Sequence, residues 1–402
     1  MATQPDTAIG HRRLDELLSG ASRAREAGDS AGACRLLEKA LTLAEPLGPF
    51  AIARVRMGEV LHAQSLGDLT AAERLLGQAI VSAGNNVVPI PAAFLLEVRV
   101  RSGSLARLLG RLLQAEQLLK EALQTYECLP DATPDQIAHV CNELGLLHLR
   151  AHQFDQAGVH LLRSLTLLES AHGRGALPLA PVCHNLGRLA AARSDPHGAY
   201  EAFARGLHIR ERVLGHDHLA TAVDRVSVAD ALSRLHREEE AEAQLHQALT
   251  TLRRIRGPEH YEVAAVLNNL GGIALRLGRH QVAERYFNQA LAIKTALYGP
   301  DHPDLARPLV NLALARCGQG RVGDAVALYE RARDLLAGSV GPGHPLLRKI
   351  EEALRGTAAT ARSRPSEAAP QGAAPRSASA RSADRSSAAV RRTTTRGAES
   401  GS

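Results

Sequence analysis

The chain has 402 residues and a net charge of +6; 45% of its residues are hydrophobic, but only 3% are aromatic and none is tryptophan. Its core must therefore consist of leucine, alanine and valine, which suits close helix packing better than aromatic-rich strands. No uninterrupted apolar run reaches the ~18 residues of a membrane-spanning helix. The opening stretch MATQPDTAIGHRRLDELL contains no apolar signal region, so we expect neither a membrane location nor a secretory route.

Cysteine and charge exclude further classes. The five cysteines are scattered and lack the paired spacing of a zinc site or a disulfide framework. This usage favours a reducing compartment, and we expect the protein to be cytoplasmic. Eight arginines but only three acids follow Gly356, so most of the positive charge belongs to the C-terminal tail. The rest of the chain does not have the basic balance of a nucleic-acid-binding surface.

The chain is an internal repeat. The loop Gly257-Pro258-Glu259-His260 recurs 42 residues later as Gly299-Pro300-Asp301-His302, and an earlier copy begins at Gly215. Eight units follow from these anchors. Each carries an alanine at one place, in chain order Ala33, Ala72, Ala115, Ala157, Ala199, Ala241, Ala283 and Ala325. Another small residue follows seven places later: Ala40, Ala79, Ala122, Ser164, Gly206, Ala248, Ala290 and Ala332.

Each unit has the pattern of two helices. In the seventh unit, apolar residues recur at three- and four-residue steps from Val263 to Ala274 and again from Val282 to Ile293. Gly278 marks the turn between the two helices. Pro303 suits the first position of the next unit's first helix, whose N-terminus His302 or Asp301 can cap. Small residues are expected where two helix axes approach most closely.

This pattern resembles the tetratricopeptide repeat. The residues that carry the resemblance in the seventh unit are Leu270, Gly271, Ala283, Phe287 and Ala290. The 42-residue period, the Asn-Asn-Leu sequence and the Gly-Pro-Asp-His-Pro loop are similar to the kinesin light chain subclass. The resemblance covers about residues 12–354. It implies an all-α fold, a right-handed solenoid of about eight helix pairs whose first helices line a concave groove for peptides.

The sequence predicts four regions. Two irregular repeats occupy residues 11–90 and six regular repeats occupy 91–344. A capping helix follows at 345–355, and a disordered tail rich in Arg, Ser and Ala extends over 356–402. The two prolines of the segment Asn85–Pro91 suggest a kink between the second and third units.

Histidine and asparagine recur at fixed places. His260, His302 and His344 repeat in the inter-unit loops, so we expect them to cap helices or pack corners, and the sequence predicts no metal, no cofactor and no catalytic site. Asn185, Asn269 and Asn311 are expected to hydrogen-bond backbone in the neighbouring turn. Asn142 and Asn268 fall one place earlier, on the groove side, where an amide can grip a peptide backbone.

The family pattern projects a set of first-helix side chains into the groove. The candidate peptide-binding residues are His139, Asn142, Arg150, His184, Arg188, Asp230, Arg234, Asn268, Arg276 and Arg307, and Glu97, Ser104 and Arg107 extend the set. Two interpretations remain open. The face is either an ordinary solvated surface or a groove that grips acidic peptides through arginine forks, chiefly those of Arg188, Arg234 and Arg276.

The sequence therefore predicts a non-enzymatic scaffold that binds a protein or peptide partner, acidic in character, in the groove. One alternative is a regulatory sensor module that changes shape on peptide binding. A weaker alternative is nucleic-acid or acidic-partner binding through the Arg-rich tail. The partner's identity and the oligomeric state do not follow from the sequence.

Overall fold

The structure, a computed structural model, describes residues 4–84, 90–341 and 343–363. These ranges contain 17 α-helices and no strand, with 3-10 turns at Glu45–Leu47 and Pro303–Leu305. The helices are α1 (Gln4–Glu26), α2 (Ser30–Ala44), α3 (Pro49–Ser65), α4 (Leu69–Gly84), α5 (Ala92–Leu108), α6 (Leu112–Cys128), α7 (Pro134–Arg150), α8 (Phe154–His172), α9 (Leu179–Ala192), α10 (Pro196–Leu214), α11 (Leu219–Arg234), α12 (Glu238–Arg256), α13 (Tyr261–Arg276), α14 (His280–Tyr298), α15 (Ala306–Gly318), α16 (Val322–Ala337) and α17 (Pro345–Ser363).

The first sixteen helices form eight pairs, which confirms the predicted α-solenoid. Each first helix packs against the second helix of its own unit, and each second helix packs against the first helix of the next. The first helices of successive units also contact one another, as α7 does with α9 and α13 with α15. Residues Met1–Thr357 form one compact unit, and its buried apolar residues form successive clusters that span neighbouring helix pairs.

Small residues stand at the closest approach of each pair. All eight alanines of the first repeated position are buried, from Ala33 at 1% exposure to Ala325 at 0%. A Cβ on Gly145 would lie 2.6 Å from the Leu161 side chain, and one on Gly271 would lie 2.5 Å from Phe287. The predicted role of the small residues is confirmed, because a larger side chain has no room there.

The turn inside every unit contains a left-handed residue. Five of these residues are glycines and three are not, and the eight are Gly28, Gly67, Gly110, His152, Ser194, His236, Gly278 and Gly320. Their φ values lie between 58° and 85°. Glycine adopts this conformation freely, whereas a side chain there costs free energy.

The loops between units end one helix and begin the next. Gly215, Gly257 and Gly299 close the second helices with φ values of 86° to 87°. The Nδ1 atoms of His218, His260 and His302 then accept hydrogen bonds from backbone N–H groups two residues on. The predicted helix-capping role is confirmed for His260 and for His302, which caps its unit in place of Asp301, whereas the Nδ1 atom of His344 has no hydrogen-bond partner among the described residues.

Two helix boundaries differ from those predicted, and two predicted segments lie wholly or partly outside the described residues. The first helix already begins at Gln4, and α17 continues to Ser363, past the predicted end at residue 355. The Ala-rich sequence after Gly356 has a high helix propensity, which explains this extension. Residues 85–89 of the predicted kink, and the predicted tail from residue 364, lie outside the described residues.

Candidate functional site

The predicted groove residues lie on one face of the first helices. Positions at 42-residue steps are exposed in six successive units, namely Glu97, His139, Pro181, Val223, Ala265 and Arg307. Arg188 and Asp230 are exposed at a second repeated position, and Arg150, Arg234 and Arg276 at a third. We call this surface the first-helix face. Because first helices of adjacent units touch, it is the inner side of the stack.

The first-helix face contains recesses between neighbouring units. A cavity of about 470 Å³ between α3, α5 and α7 is lined by Phe50, Phe94, Glu97, Tyr126 and His139, among others. One of about 220 Å³ lies beside His139 and Asn142. A third, of about 260 Å³, is lined by Asp230, Asn268, Arg276 and Asn311.

Asparagines bridge successive units across this face. The Nδ2 of Asn185 donates to Oδ1 of Asn142 at 2.8 Å, and Asn311 donates to Asn268 at 2.9 Å. The expectation that Asn185 and Asn311 bond neighbouring backbone is wrong, because their partners are side chains of the preceding unit. Each bridge fixes the carbonyl of Asn142 or Asn268 and leaves that residue half-buried at the face.

The three predicted arginine anchors are not equivalent. Arg234 Nε is 2.9 Å from Asp230 Oδ2, and Arg276 Nε is 3.3 Å from Glu238 Oε1. Arg188 has no acidic partner within ion-pair distance among the described residues, and its Nη1 donates only to Asn185 Oδ1 at 3.4 Å. Two of the predicted anchors thus have acidic partners, and Arg188 has none among the described residues.

Arg188 also faces another cation. Partial burial, and then the charge of Arg107 two units away, lower the pKa of the Arg188 guanidinium. Arg107 itself is paired with Glu143 at 3.0 Å.

Glu143 is a buried acid at this face. Burial alone would raise its pKa, but the charges of Arg107 and His139 outweigh that effect, so the pKa lies below the usual value. His139 itself is exposed, yet desolvation by the surrounding helices lowers its pKa. Ser104, predicted on the open face, is buried at 6% exposure, because α5 turns this residue toward the core.

The sequence analysis missed a buried charge cluster in the sixth unit. Asp224 is only 1% exposed. Its Oδ1 atom lies 2.9 Å from Nδ1 of His184, and its carboxylate forms an ion pair with Arg210. The contact orients the predicted groove residue His184, which is half-buried. The equivalent positions in the fifth and seventh units are Val182 and Val266, both buried.

Arg225, which follows Asp224, is also a buried charged residue at a position that is apolar in the flanking units. Arg225 is 3% exposed and bonds Glu211 Oε1 at 2.7 Å and the His216 carbonyl at 3.0 Å. Cys183 and Leu267 are its apolar counterparts in the flanking units. Alignment of the units would have revealed both departures, since charged residues stand where the repeat places apolar ones.

Sequence-family comparison agrees with the geometry. Models of the tetratricopeptide repeat family match residues 182–220, 225–296 and 262–338. Residues 182–220 and 225–338 are therefore tetratricopeptide repeats. No curated protein matches the chain's sequence.

Solved structures are similar to this chain, and two of them have TM-scores above 0.5. A signal transduction ATPase with a tetratricopeptide repeat sensor from Pyrococcus horikoshii superposes with a TM-score of 0.64 at 12% identity, over 90% of this chain and 50% of that one. A Rap protein complexed with Competence and Sporulation Factor has a TM-score of 0.51 and 17% sequence identity, over 77% of this chain and 88% of that one. BtubC from P. vanneervenii has a TM-score of 0.49 and 22% sequence identity, over 62% of this chain and 94% of that one.

The tetratricopeptide repeats make the chain a protein-interaction scaffold. No helix in the described part of the chain is long and apolar enough to cross a membrane.

Proposed function

We propose that this scaffold binds an extended, carboxylate-bearing peptide segment of a partner protein along the first-helix face. The observation that carries the proposal is the guanidinium of Arg188, which has no acidic partner among the described residues and lies beside the Asn142–Asn185 bridge. A guanidinium can hold a carboxylate through two parallel hydrogen bonds, and a neighbouring asparagine amide can bond peptide backbone.

The electrostatics of the face favour this ligand. Burial, and after it the charge of Arg107, disfavours the charged form of Arg188 and lowers its pKa, so a bound carboxylate would stabilise the guanidinium charge. Arg150 and Arg307 are also exposed and have no acidic partner within ion-pair distance among the described residues. Their positions along the face suit a peptide with several acidic residues.

Apolar recesses supply pockets for the rest of the peptide. Phe50 and Phe94 pack edge to face at 5.1 Å, and both line the 470 Å³ cavity beside His139. Apolar pockets flanked by polar groups are the usual means of reading alternate side chains of a bound peptide. We infer that an apolar peptide side chain enters here.

We further propose that the scaffold is non-catalytic and cytoplasmic. Its five cysteines are unpaired, as a reducing compartment would keep them. The Rap protein of the same fold is complexed with Competence and Sporulation Factor, which is a property of that protein. It illustrates that this architecture can hold a ligand.

Selection from a random peptide library by the full chain tests the proposal. We expect enriched peptides to carry acidic residues and to cross-link to α7 and α9. Enrichment of basic or purely apolar sequences, or cross-links confined to second helices, would contradict it.

A further inference from the structure

Apolar side chains at one edge of the sixth unit are less exposed to solvent than their counterparts in the neighbouring units. Val213, Ile255 and Leu297 occupy the same repeated place in the fifth, sixth and seventh units. Val213 and Leu297 are 50% and 47% exposed, whereas Ile255 is half-buried. Leu219 and Tyr261 differ in the same way, at 9% and 52% exposure.

The cover is the turn of the first unit. A Cβ on Gly28, between α1 and α2, would lie 3.0 Å from Ile255 Cγ2 and 3.1 Å from Leu219 Cδ2. The negative charge of the adjacent Glu26 also reaches His218 and opposes the desolvation that lowers the pKa of that histidine. The contacts of the Gly28 turn therefore bring the first and sixth units together, and the effect of Glu26 on His218 agrees with them.

This contact is specific to one turn. The corresponding glycines of the second and third units, Gly67 and Gly110, have φ values of 78° and 80°, close to the 85° of Gly28. A Cβ on either would meet no atom within 4 Å. The proximity of Gly28 to Ile255 is therefore not a general feature of the repeat.

A solenoid unit ordinarily contacts only its neighbours. The return of the first unit to the sixth closes one superhelical turn around the inner, first-helix face. The contact is small, involving one backbone turn and a few side chains, so it can open without unfolding any unit.

We propose that the turn Glu26–Asp29 is a latch that holds the superhelical turn closed on Leu219 and Ile255. Release of the latch widens the first-helix face and regulates access to the groove, an extension that rests on the proposed function. A shape change of this kind is what the alternative of a sensor module requires.

Three substitutions at one repeated place test the latch in the full chain. Ile255→Glu introduces a charge under the turn, whereas Val213→Glu and Leu297→Glu introduce it at open copies of the same position. We expect Ile255→Glu alone to increase the radius of gyration in small-angle X-ray scattering and to speed amide exchange at residues 27–29. Equal radii for the three variants, with the exchange of the turn unchanged, would overturn the latch.

A second comparison separates the latch from turn strain. Gly28→Ala and Gly67→Ala impose a similar left-handed strain, but only the first places a methyl group against Ile255. Gly28→Ala should speed amide exchange at residues 27–29 more than Gly67→Ala speeds it at residues 66–68, because only the first crowds its neighbours; equal effects would contradict the proposal. Neither measurement uses a ligand, so failure of the latch leaves the peptide proposal standing, and failure of peptide binding leaves the latch.

Discussion

The ring of Phe287 occupies the space that a side chain on Gly271 would need. A Cβ on Gly271 would lie 2.5 Å from Phe287 Cε1, whereas a Cβ on the adjacent Gly272 would meet nothing within 4 Å. Both glycines lie inside α13. The same helix thus holds one glycine that packing requires and one that it does not.

Alanine at these two glycines should have opposite effects. Gly271→Ala forces Phe287 or the helix pair to shift and should cost ~1–3 kcal/mol of unfolding free energy. Gly272→Ala should stabilise by ~0.5–1 kcal/mol, because alanine is the better helix former. Urea denaturation followed by circular dichroism measures both. Equal changes in the two variants would disprove the packing argument.

The left-handed turn residue of the fifth unit offers a stabilising change. Ser194 has a φ of 60°, where a side chain is disfavoured and glycine is not. Ser194→Gly should raise the unfolding free energy by ~0.5–1 kcal/mol after allowance for the entropy of glycine in the unfolded chain. Ser194→Ala retains the strain and should bring no gain; a gain equal to that of glycine would show that φ is not the cause.

The buried carboxylate of Asp224 should be costly to remove. Asp224→Ala leaves Arg210, whose side chain is 13% exposed, without its partner. Loss of one member of a buried pair costs ~3–5 kcal/mol. The matched control is Asp217→Ala, since Asp217 is 79% exposed and its pair with Arg254 should contribute under ~1 kcal/mol. Similar urea midpoints for the two variants would contradict the assigned role of Asp224.

Glu143 predicts a pH dependence of stability. Its folded pKa lies below the unfolded value of ~4.3, so its stabilisation is fully present above that pH and is lost as pH falls through the folded pKa. The stability difference between wild type and Glu143→Gln should therefore shrink on acidification from neutral pH to below ~4. Urea midpoints at several pH values test this. A difference that stays constant with pH would exclude Glu143 as the source.

Local pattern predicts the repeat well because each unit is built alike. The small residues at Ala283 and Gly271 follow from helix contact, and the capping His302 follows from its place in a recurring loop. These features depend only on neighbouring units, which the 42-residue period places in register.

The repeat pattern predicts neither the ion pairs of the exposed arginines nor the contact between the first and sixth units. The Arg234–Asp230 and Arg276–Glu238 pairs depend on side-chain conformations, so the number of exposed arginines overestimates the free positive charge. The contact of Gly28 with Ile255 depends on twist accumulated over five units. Small changes in each interface add along the stack, and no local signal records their sum.

The most direct measurement is calorimetric titration of an acidic library-selected peptide into four versions of the full chain: wild type, Arg188→Ala, Arg188→Lys and Arg234→Ala. Loss of a buried carboxylate contact costs ~1–3 kcal/mol, or roughly five- to 150-fold in affinity. We predict this loss for Arg188→Ala, partial retention for Arg188→Lys, and little change for Arg234→Ala, whose guanidinium Asp230 already occupies. Unchanged affinity in Arg188→Ala, at an unchanged melting temperature, would contradict peptide anchoring on the first-helix face.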